Sequence, residues 1–225
     1  MARRVVGLTL DNLDDLTTRC RSCVLWELDP MSGRRAHDRG AAAAEKEAWV
    51  SAALLDWGSC GRVLYLDGEV AGHALYAPPA YLPGETRFPT APVAPDAVLL
   101  TTVDVRPAHR GGGLGRVLVQ SVAKDLTRRG IRAMEAYGDA RPGAQQLADS
   151  CTPPVGFLLG VGFKTVRPHP RYPRLRLDLR TALSWREDVE GALERLLGSV
   201  HRGRPIPVRA PRSTSGPLSP RGEAV

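Results

Sequence analysis

The chain has 225 residues, of which 43% are hydrophobic and 24% are charged, and its formal net charge is +7. These proportions indicate one globular domain, with or without an appendage, and they exclude collagen-like, coiled-coil and wholly disordered classes. No run of residues reaches the roughly 18 consecutive apolar positions that a membrane helix needs.

The first residues predict a strand and a location inside the cell. The apolar run at residues 5–10 ends at Asp11, so it is too short for a secretory signal and is read as a strand. Four cysteines without such a signal favour a reducing compartment over a disulfide framework. We therefore expect a cytoplasmic protein with no membrane partner.

Cys20 and Cys23 have the spacing Cys-x-x-Cys, which has two interpretations. They could be half of a metal site or a redox pair. A structural zinc ion would need two further ligands, and the chain has no second Cys-x-x-Cys. The alternative is that both are small buried side chains on an apolar helix face, a common role of free cysteine. On that interpretation no metal is expected.

The middle of the chain predicts a mixture of helices and strands. Residues 45–56 have the periodicity of an amphipathic helix, and Asp67-Gly68 is a strong hairpin signal between two apolar runs. Six prolines in residues 78–96 predict a long, stiff loop. The other predicted elements are a helix at 113–129 and strands at 62–66, 70–77, 97–105, 133–137, 164–166 and 175–179. This order predicts an α/β or α+β fold with a central sheet.

The end of the chain differs in composition from the rest. Ser184 and Glu187 predict a capping-box helix. Residues 199–225 contain five prolines, five arginines and one glutamate, which predicts a disordered tail. The tail carries +4 of the net charge and leaves +3 on residues 1–198. The predicted units are a domain at 3–181, a helix at 182–198 and the tail at 199–225.

The most informative segment joins the strand at 97–105 to the helix at 113–129. From position 103 it reads Val-Asp-Val-Arg-Pro-Ala-His-Arg-Gly-Gly-Gly-Leu-Gly-Arg. Glycines before a helix let backbone N–H groups converge on an anion, so this turn predicts a phosphate site. It is not a P-loop, which requires Gly-Lys-Ser/Thr, and it does not match the dinucleotide pattern Gly-x-Gly-x-x-Gly.

The spacing Arg-x-x-Gly-x-Gly after a Val-x-Val strand closely resembles the acyl-coenzyme A-binding motif of the GNAT N-acetyltransferase superfamily. The resemblance covers roughly residues 60–180 and includes a later Gly-Phe at positions 162–163. It implies a central mixed, mostly antiparallel sheet flanked by helices, and acetyl-CoA or another acyl-CoA as the acyl donor. It also implies that the pantetheine arm lies along Val103, Asp104 and Val105. The pyrophosphate would lie at Arg110, Gly111, Gly112, Gly113, Leu114, Gly115 and Arg116.

The catalytic groups of many GNAT relatives are missing from this sequence. A glutamate early in the motif strand is replaced by apolar and hydroxyl residues at positions 99–102, and the tyrosine before Gly-Phe is replaced by Phe157 and Leu158. The replacement candidates are Tyr137, Glu135 and Cys151. For Glu135 the competing interpretation is a solvent-facing strand residue, and for Tyr137 it is a core residue.

The sequence thus predicts a GNAT-type N-acetyltransferase that transfers acetyl from acetyl-CoA directly to an amine of an unidentified small-molecule or protein acceptor. His169 and Tyr172, in the loop at 167–174, could help to select that acceptor, or the loop could be an ordinary solvated turn. The alternative function is a non-catalytic acyl-CoA-binding sensor or interaction module. Nucleic acid is not expected as a partner, with the Arg-rich tail as the one exception left open, and a homodimer is compatible with the fold.

Overall fold

The computed structural model describes residues 2–141 and 151–179. The chain divides into two compact units, Met1–Trp185 and Arg186–Val225, and all described residues belong to the first. The predicted helix at 182–198 and the predicted tail at 199–225 lie outside the described residues. The predicted boundaries of these units stay predictions.

A single sheet runs through the described residues and contains seven strands. They are β1 (Arg3–Gly7), β2 (Gly61–Leu66), β3 (Glu69–Ala77), β4 (Ala97–Val105), β5 (Ala133–Tyr137), β6 (Lys164–Arg167) and β7 (Arg174–Asp178). Their spatial order is β1-β2-β3-β4-β5-β7-β6, and each neighbouring pair is antiparallel except β4 with β5. The predicted mixed, mostly antiparallel sheet is confirmed.

Five α-helices flank this sheet within the described residues. They are α1 (Thr18–Arg21), α2 (Pro30–Asp38), α3 (Ala42–Asp56), α4 (Leu114–Arg128) and α5 (Val155–Gly160). No prediction covered α2, although the Asp29 side chain caps it by accepting hydrogen bonds from the Met31 and Ser32 amides. None of the described helices is both long enough and apolar enough to span a membrane.

The two faces of the sheet pack against different helices. Leu64 of β2 belongs to the core cluster that includes Leu118 of α4. Its neighbour Val63 points to the opposite face and packs in a second cluster with Val50 of α3. The period of two along the strand therefore places α4 on one side of the sheet and α3 on the other.

The proline-rich residues 78–96 pack on the face of the sheet opposite to α4 and are more ordered than a plain loop. They contain two short 3-10 turns, Pro79–Tyr81 and Pro83–Arg87. The side chains of Leu82 and Phe88 are buried in a third apolar cluster with Leu99 of β4. Proline fixes φ and so reduces the entropy that is lost when such a segment is ordered.

An irregularity in β4 decides which of its side chains face the candidate site. The pairing of β4 with β3 shifts by one residue at Thr101. Before this bulge Leu100 contributes to the core around α4, and after it Val103 does so. Uninterrupted alternation would put position 102 on that side. The bulge therefore turns Thr102 and Asp104 away from α4.

Candidate active site

The sheet opens between its two central strands. In the described part of the chain, β4 and β5 pair in parallel only at residues 97–99 of β4. From residue 100 to 105, β4 pairs with β3 on its other side. One backbone edge of this half of β4 therefore faces a cleft. Ligands of open sheets bind at such carboxyl ends of strands.

A cavity of about 230 Å³ lies beside this open edge. Val103 and Asp104 of β4 line it, together with Cys20 of α1 and Cys151. The Thr102 hydroxyl donates a hydrogen bond to the Cys151 carbonyl oxygen at 3.4 Å. This contact holds the segment that begins at Cys151 against the strand, so the segment forms one wall of the cleft.

The glycine-rich turn after β4 uses its glycines for different reasons. Gly111 and Gly113 have φ angles of 84° and 76°, in the left-handed region that favours glycine. At Gly115 an added Cβ would lie 2.8 Å from the Phe157 ring. Gly112 has neither constraint, because its φ is not positive and an added Cβ would meet no described atom within 4 Å. A ligand that approaches the backbone closely would explain the glycine at this position.

Two arginines flank this turn at the beginning of α4. The Arg110 Nε donates to the Val105 carbonyl oxygen at 2.8 Å, and its Nη2 lies 3.7 Å from the Asp104 carboxylate. Arg116 donates to the Gly160 carbonyl oxygen at 2.6 Å. Both arginines make these contacts at the exposed, positive end of the 15-residue helix α4. The turn, the helix end and the arginines together suit a pyrophosphate.

A second cavity, of about 540 Å³, adjoins the first, since Arg19 and Cys151 line both. One face of α2 forms a wall of this larger cavity and presents Arg34 and His37 to it. Arg87, from the turn after β3, lines it as well. The larger cavity is therefore basic, and it meets the β4 cleft at Cys151.

Cys20 and Cys23 have different nearest partners. The Cys20 thiol, a nitrogen of His73 and a carboxylate oxygen of Asp104 lie within 4.8 Å of one another, and these residue types could hold a metal ion. Neither nitrogen of the buried His73 ring has a hydrogen-bond partner among the described residues. Cys23 instead lies 3.0 Å from Cys151, measured between the two Sγ atoms. The metal and redox interpretations of the pair Cys20 and Cys23 stay hypotheses.

Cys23 is expected to react as a thiolate at neutral pH. Its hydrogen bond with Cys151 lowers the Cys23 pKa to about 7, against the opposing effect of burial. Because the thiolate is the reactive form, the rate of iodoacetamide labelling of Cys23 should reach half of its maximum near pH 7. For an ordinary cysteine this midpoint lies at about pH 8.5. Mass spectrometry of the Cys23 peptide across pH measures this midpoint. The substitution Cys151→Ala should raise this midpoint. A midpoint of about pH 8.5 or higher in the wild-type protein contradicts the prediction.

Glu135 and Tyr137, predicted as catalytic candidates, lie inside the sheet. Glu135 is 1% exposed, which excludes the solvent-facing interpretation, and it pairs with Arg174 at 3.4 Å and Arg176 at 3.1 Å. Tyr137 is fully buried and its ring stacks on Phe88 with centroids 4.5 Å apart. Neither residue lines either of the two cavities, whereas the third candidate, Cys151, lines both. The catalytic roles of all three stay predictions.

Sequence reasoning missed the basic wall of the larger cavity. The dipeptide Asp29-Pro30 is a helix-start signal, and with it the spacing of Arg34 and His37 would have indicated one face of α2. No comparable signal brings Arg87 to this cavity, because it comes from a turn that is distant in sequence. In the loop at 167–174, His169 accepts hydrogen bonds from two backbone amides of its own turn.

A mixed sheet that opens beside a glycine-rich helix start is the arrangement that the resemblance to the GNAT superfamily implied. The sequence profile of the acetyltransferase (GNAT) family matches residues 22–151. The chain belongs to this family, as the motif after β4 predicted. Among curated proteins, none matches the chain.

Solved structures with a similar fold include three from different microorganisms. The PaiA N-acetyltransferase of Thermoplasma acidophilum, in complex with coenzyme A, is 12% identical with a TM-score of 0.52, over 79% of this chain and 99% of that chain. YncA of Salmonella typhimurium, with its cofactor acetyl-CoA, is 18% identical with a TM-score of 0.52, over 80% and 95%. An N-acetyltransferase of Staphylococcus aureus Mu50 is 15% identical with a TM-score of 0.50, over 80% and 99%. At these identities the similarity shows the fold.

Proposed function

We propose that this protein is an N-acetyltransferase that transfers the acetyl group of acetyl-CoA directly to an amine. The observation that carries the proposal is the open edge of β4, which is followed, after a short 3-10 turn at Pro107–His109, by the glycine turn of α4. Family membership supports it, and so do two structural relatives that hold coenzyme A or acetyl-CoA.

The cofactor would lie along β4 and end at α4. The pantetheine arm would follow the backbone of Val103, Asp104 and Val105, where the cleft leaves one strand edge unpaired with β5. The pyrophosphate would meet the amides of residues 111–115, with Arg110 and Arg116 on either side. The thioester would then reach the smaller cavity, next to the bulge in β4.

Asp104 is the proposed proton acceptor for the incoming amine. It supplies the only carboxylate among the described residues that line the two cavities, and its side chain is 27% exposed. An amine must lose its proton before it attacks a thioester, and a carboxylate can take that proton directly or through water. Cys151 keeps its own proton, because the hydrogen bond with Cys23 and burial raise its pKa. Its single thiol proton is shared with Cys23, so Cys151 would donate it to the leaving CoA thiolate only after the bond to Cys23 opens.

Asp104→Asn should lower kcat by about 100-fold, which is within the usual contribution of a general base. Affinity for acetyl-CoA should change by less than about threefold, because the backbone contacts proposed for the cofactor are kept. Thiol release with an amine substrate measures the first effect, and calorimetry measures the second. Asp56→Asn, at the exposed end of α3, is the matched control. An unchanged kcat in Asp104→Asn contradicts the role of Asp104.

Calorimetric titration with acetyl-CoA, followed by thiol release over a panel of amines, tests the proposed function. Absence of acetyl-CoA binding would overturn it. Binding without transfer to any amine would instead favour the acyl-CoA sensor or interaction module. The apolar residues Leu99 and Leu100, and the missing tyrosine at Phe157, are the observations that favour this second function.

A further inference from the structure

The larger cavity has an excess of positive charge. Arg34, His37 and Arg87 line it from two separate elements, and no carboxylate lies among its described lining residues. Its volume of about 540 Å³ falls in the range of small-molecule sites, which is roughly 300–1,000 Å³. Because it meets the β4 cleft at Cys151, a molecule bound here could reach the thioester proposed above.

The cationic side chains of this wall form no direct ion pair within the described protein. No salt bridge reaches Arg34, His37 or Arg87 from any described residue. The nearby acids are engaged elsewhere, since Glu27 is buried against Lys46 and Asp29 caps α2.

Arg87 is the side chain of this wall whose guanidinium is best arranged to bind an anion. Its Nε donates to the Gly84 carbonyl oxygen at 3.1 Å, and no described carboxylate pairs with the other guanidinium nitrogens. Partial burial lowers the pKa of Arg87, and the charges of Cys23, Asp29 and Glu27 oppose this effect without forming an ion pair with the guanidinium. Arginine pairs most strongly with a carboxylate or a phosphate, through two parallel hydrogen bonds.

We propose that the larger cavity is the acceptor site and that it selects amines that also carry an anionic group, a carboxylate or a phosphate. The amine would lie at the Cys151 end, next to the acyl-CoA cleft, and the anion would lie at Arg34, His37 and Arg87. The assignment as acceptor site rests on the proposed acetyltransferase function. The preference for anions does not, because it follows from the charges of the wall.

Two alkylating reagents of nearly equal size test the preference directly. Cys23 lines the cavity, and it can be labelled with anionic iodoacetate or neutral iodoacetamide. The rate constant of Cys23 with iodoacetate is divided by its rate constant with iodoacetamide, which cancels the reactivity and access of the thiol. This ratio is then divided by the same ratio for glutathione, which corrects for the different intrinsic reactivities of the two reagents. We expect this normalised ratio to be about 10 at low salt and to fall as salt screens the charges.

Variants show whether the wall causes the effect. Arg34→Gln and Arg87→Gln should each reduce the normalised ratio severalfold. Arg35→Gln removes a neighbouring arginine that does not line the cavity, and it should leave the ratio unchanged. A wild-type ratio near 1, or an equal loss in Arg35→Gln, overturns the proposal.

A transfer assay links the cavity to the reaction. With acetyl-CoA as donor, β-alanine should be acetylated at least tenfold more efficiently than β-alaninamide, and Arg34→Gln should remove the difference. Equal use of the two amines, or use of neither when acetyl-CoA binds, overturns the selection of anionic acceptors. A high alkylation ratio in a protein that does not bind acetyl-CoA would overturn the proposed function and leave an anion-selective cavity.

Discussion

Gly112→Val is expected to weaken acetyl-CoA binding by about 100-fold and to leave the stability of the free protein nearly unchanged. The φ of Gly112 is not positive, and the space beside it is open, so valine causes no clash with the described residues. In the complex, the same side chain would occupy the position of the pyrophosphate. Losing one or two charge-assisted hydrogen bonds costs about 3 kcal/mol, which corresponds to about 100-fold in Kd.

Calorimetry with acetyl-CoA and a thermal unfolding curve measure the two parts of this expectation. Gly112→Ala should show a smaller loss of affinity, since its methyl group reaches less far into the proposed phosphate site. Gly113→Val is a weaker test, because a φ of 76° strains any β-branched residue and would reduce stability together with binding. Full affinity in Gly112→Val would remove the basis for a pyrophosphate at this turn.

The helices and strands that were predicted most accurately are those whose ends are marked by local sequence signals. The predicted strands at 97–105 and 133–137 have the observed bounds of β4 and β5, and the predicted helix at 113–129 contains α4 together with its two capping residues. Pro107 and the glycines at 111–113 separate β4 from α4, and they act within a few residues of themselves. Such signals can be recognised in the sequence without knowledge of the rest of the fold.

The features that make the site depend on contacts between distant residues, and the sequence did not show them. The bulge at Thr101 lies in the pairing with β3, and the opening between β4 and β5 begins where their pairing ends, after Leu99. Both lie within residues 97–102, where apolar and hydroxyl residues do not alternate and periodicity is uninformative. The bulge is nevertheless what places Asp104 beside Cys20 in the cleft. The family resemblance, rather than periodicity, indicated this region as the site.

Lys46 of α3 is a second case in which a contact with a distant residue could not be predicted from the sequence. Lysine is usually solvent-exposed, yet position 46 shares one face of α3 with the buried Val50 and Ala53. Lys46 is in fact 2% exposed, because the carboxylate of Glu27 pairs with its ammonium group. Glu27 lies 19 residues earlier in the chain, so no helical spacing indicates the partner.

Lys46→Met should reduce the free energy of unfolding by about 3–5 kcal/mol, as expected when one partner of a buried ion pair is removed. The Glu27 carboxylate would remain buried without its cation, and its Oε2 already has no hydrogen-bond partner among the described residues. Urea denaturation measures the loss. The double variant, Lys46→Met with Glu27→Leu, removes both charges and should recover most of the lost free energy of unfolding.

The comparison of these two variants also bears on the larger cavity. Glu27 follows closely on residues 22–25, which line that cavity, so the ion pair holds this segment against α3. Lys46→Met should therefore speed iodoacetamide labelling of Cys23 by local opening, whereas the double variant should label at nearly the wild-type rate. If the single variant lost less than about 1 kcal/mol, or the double variant were no more stable than the single one, the buried pair would not be what fixes this wall.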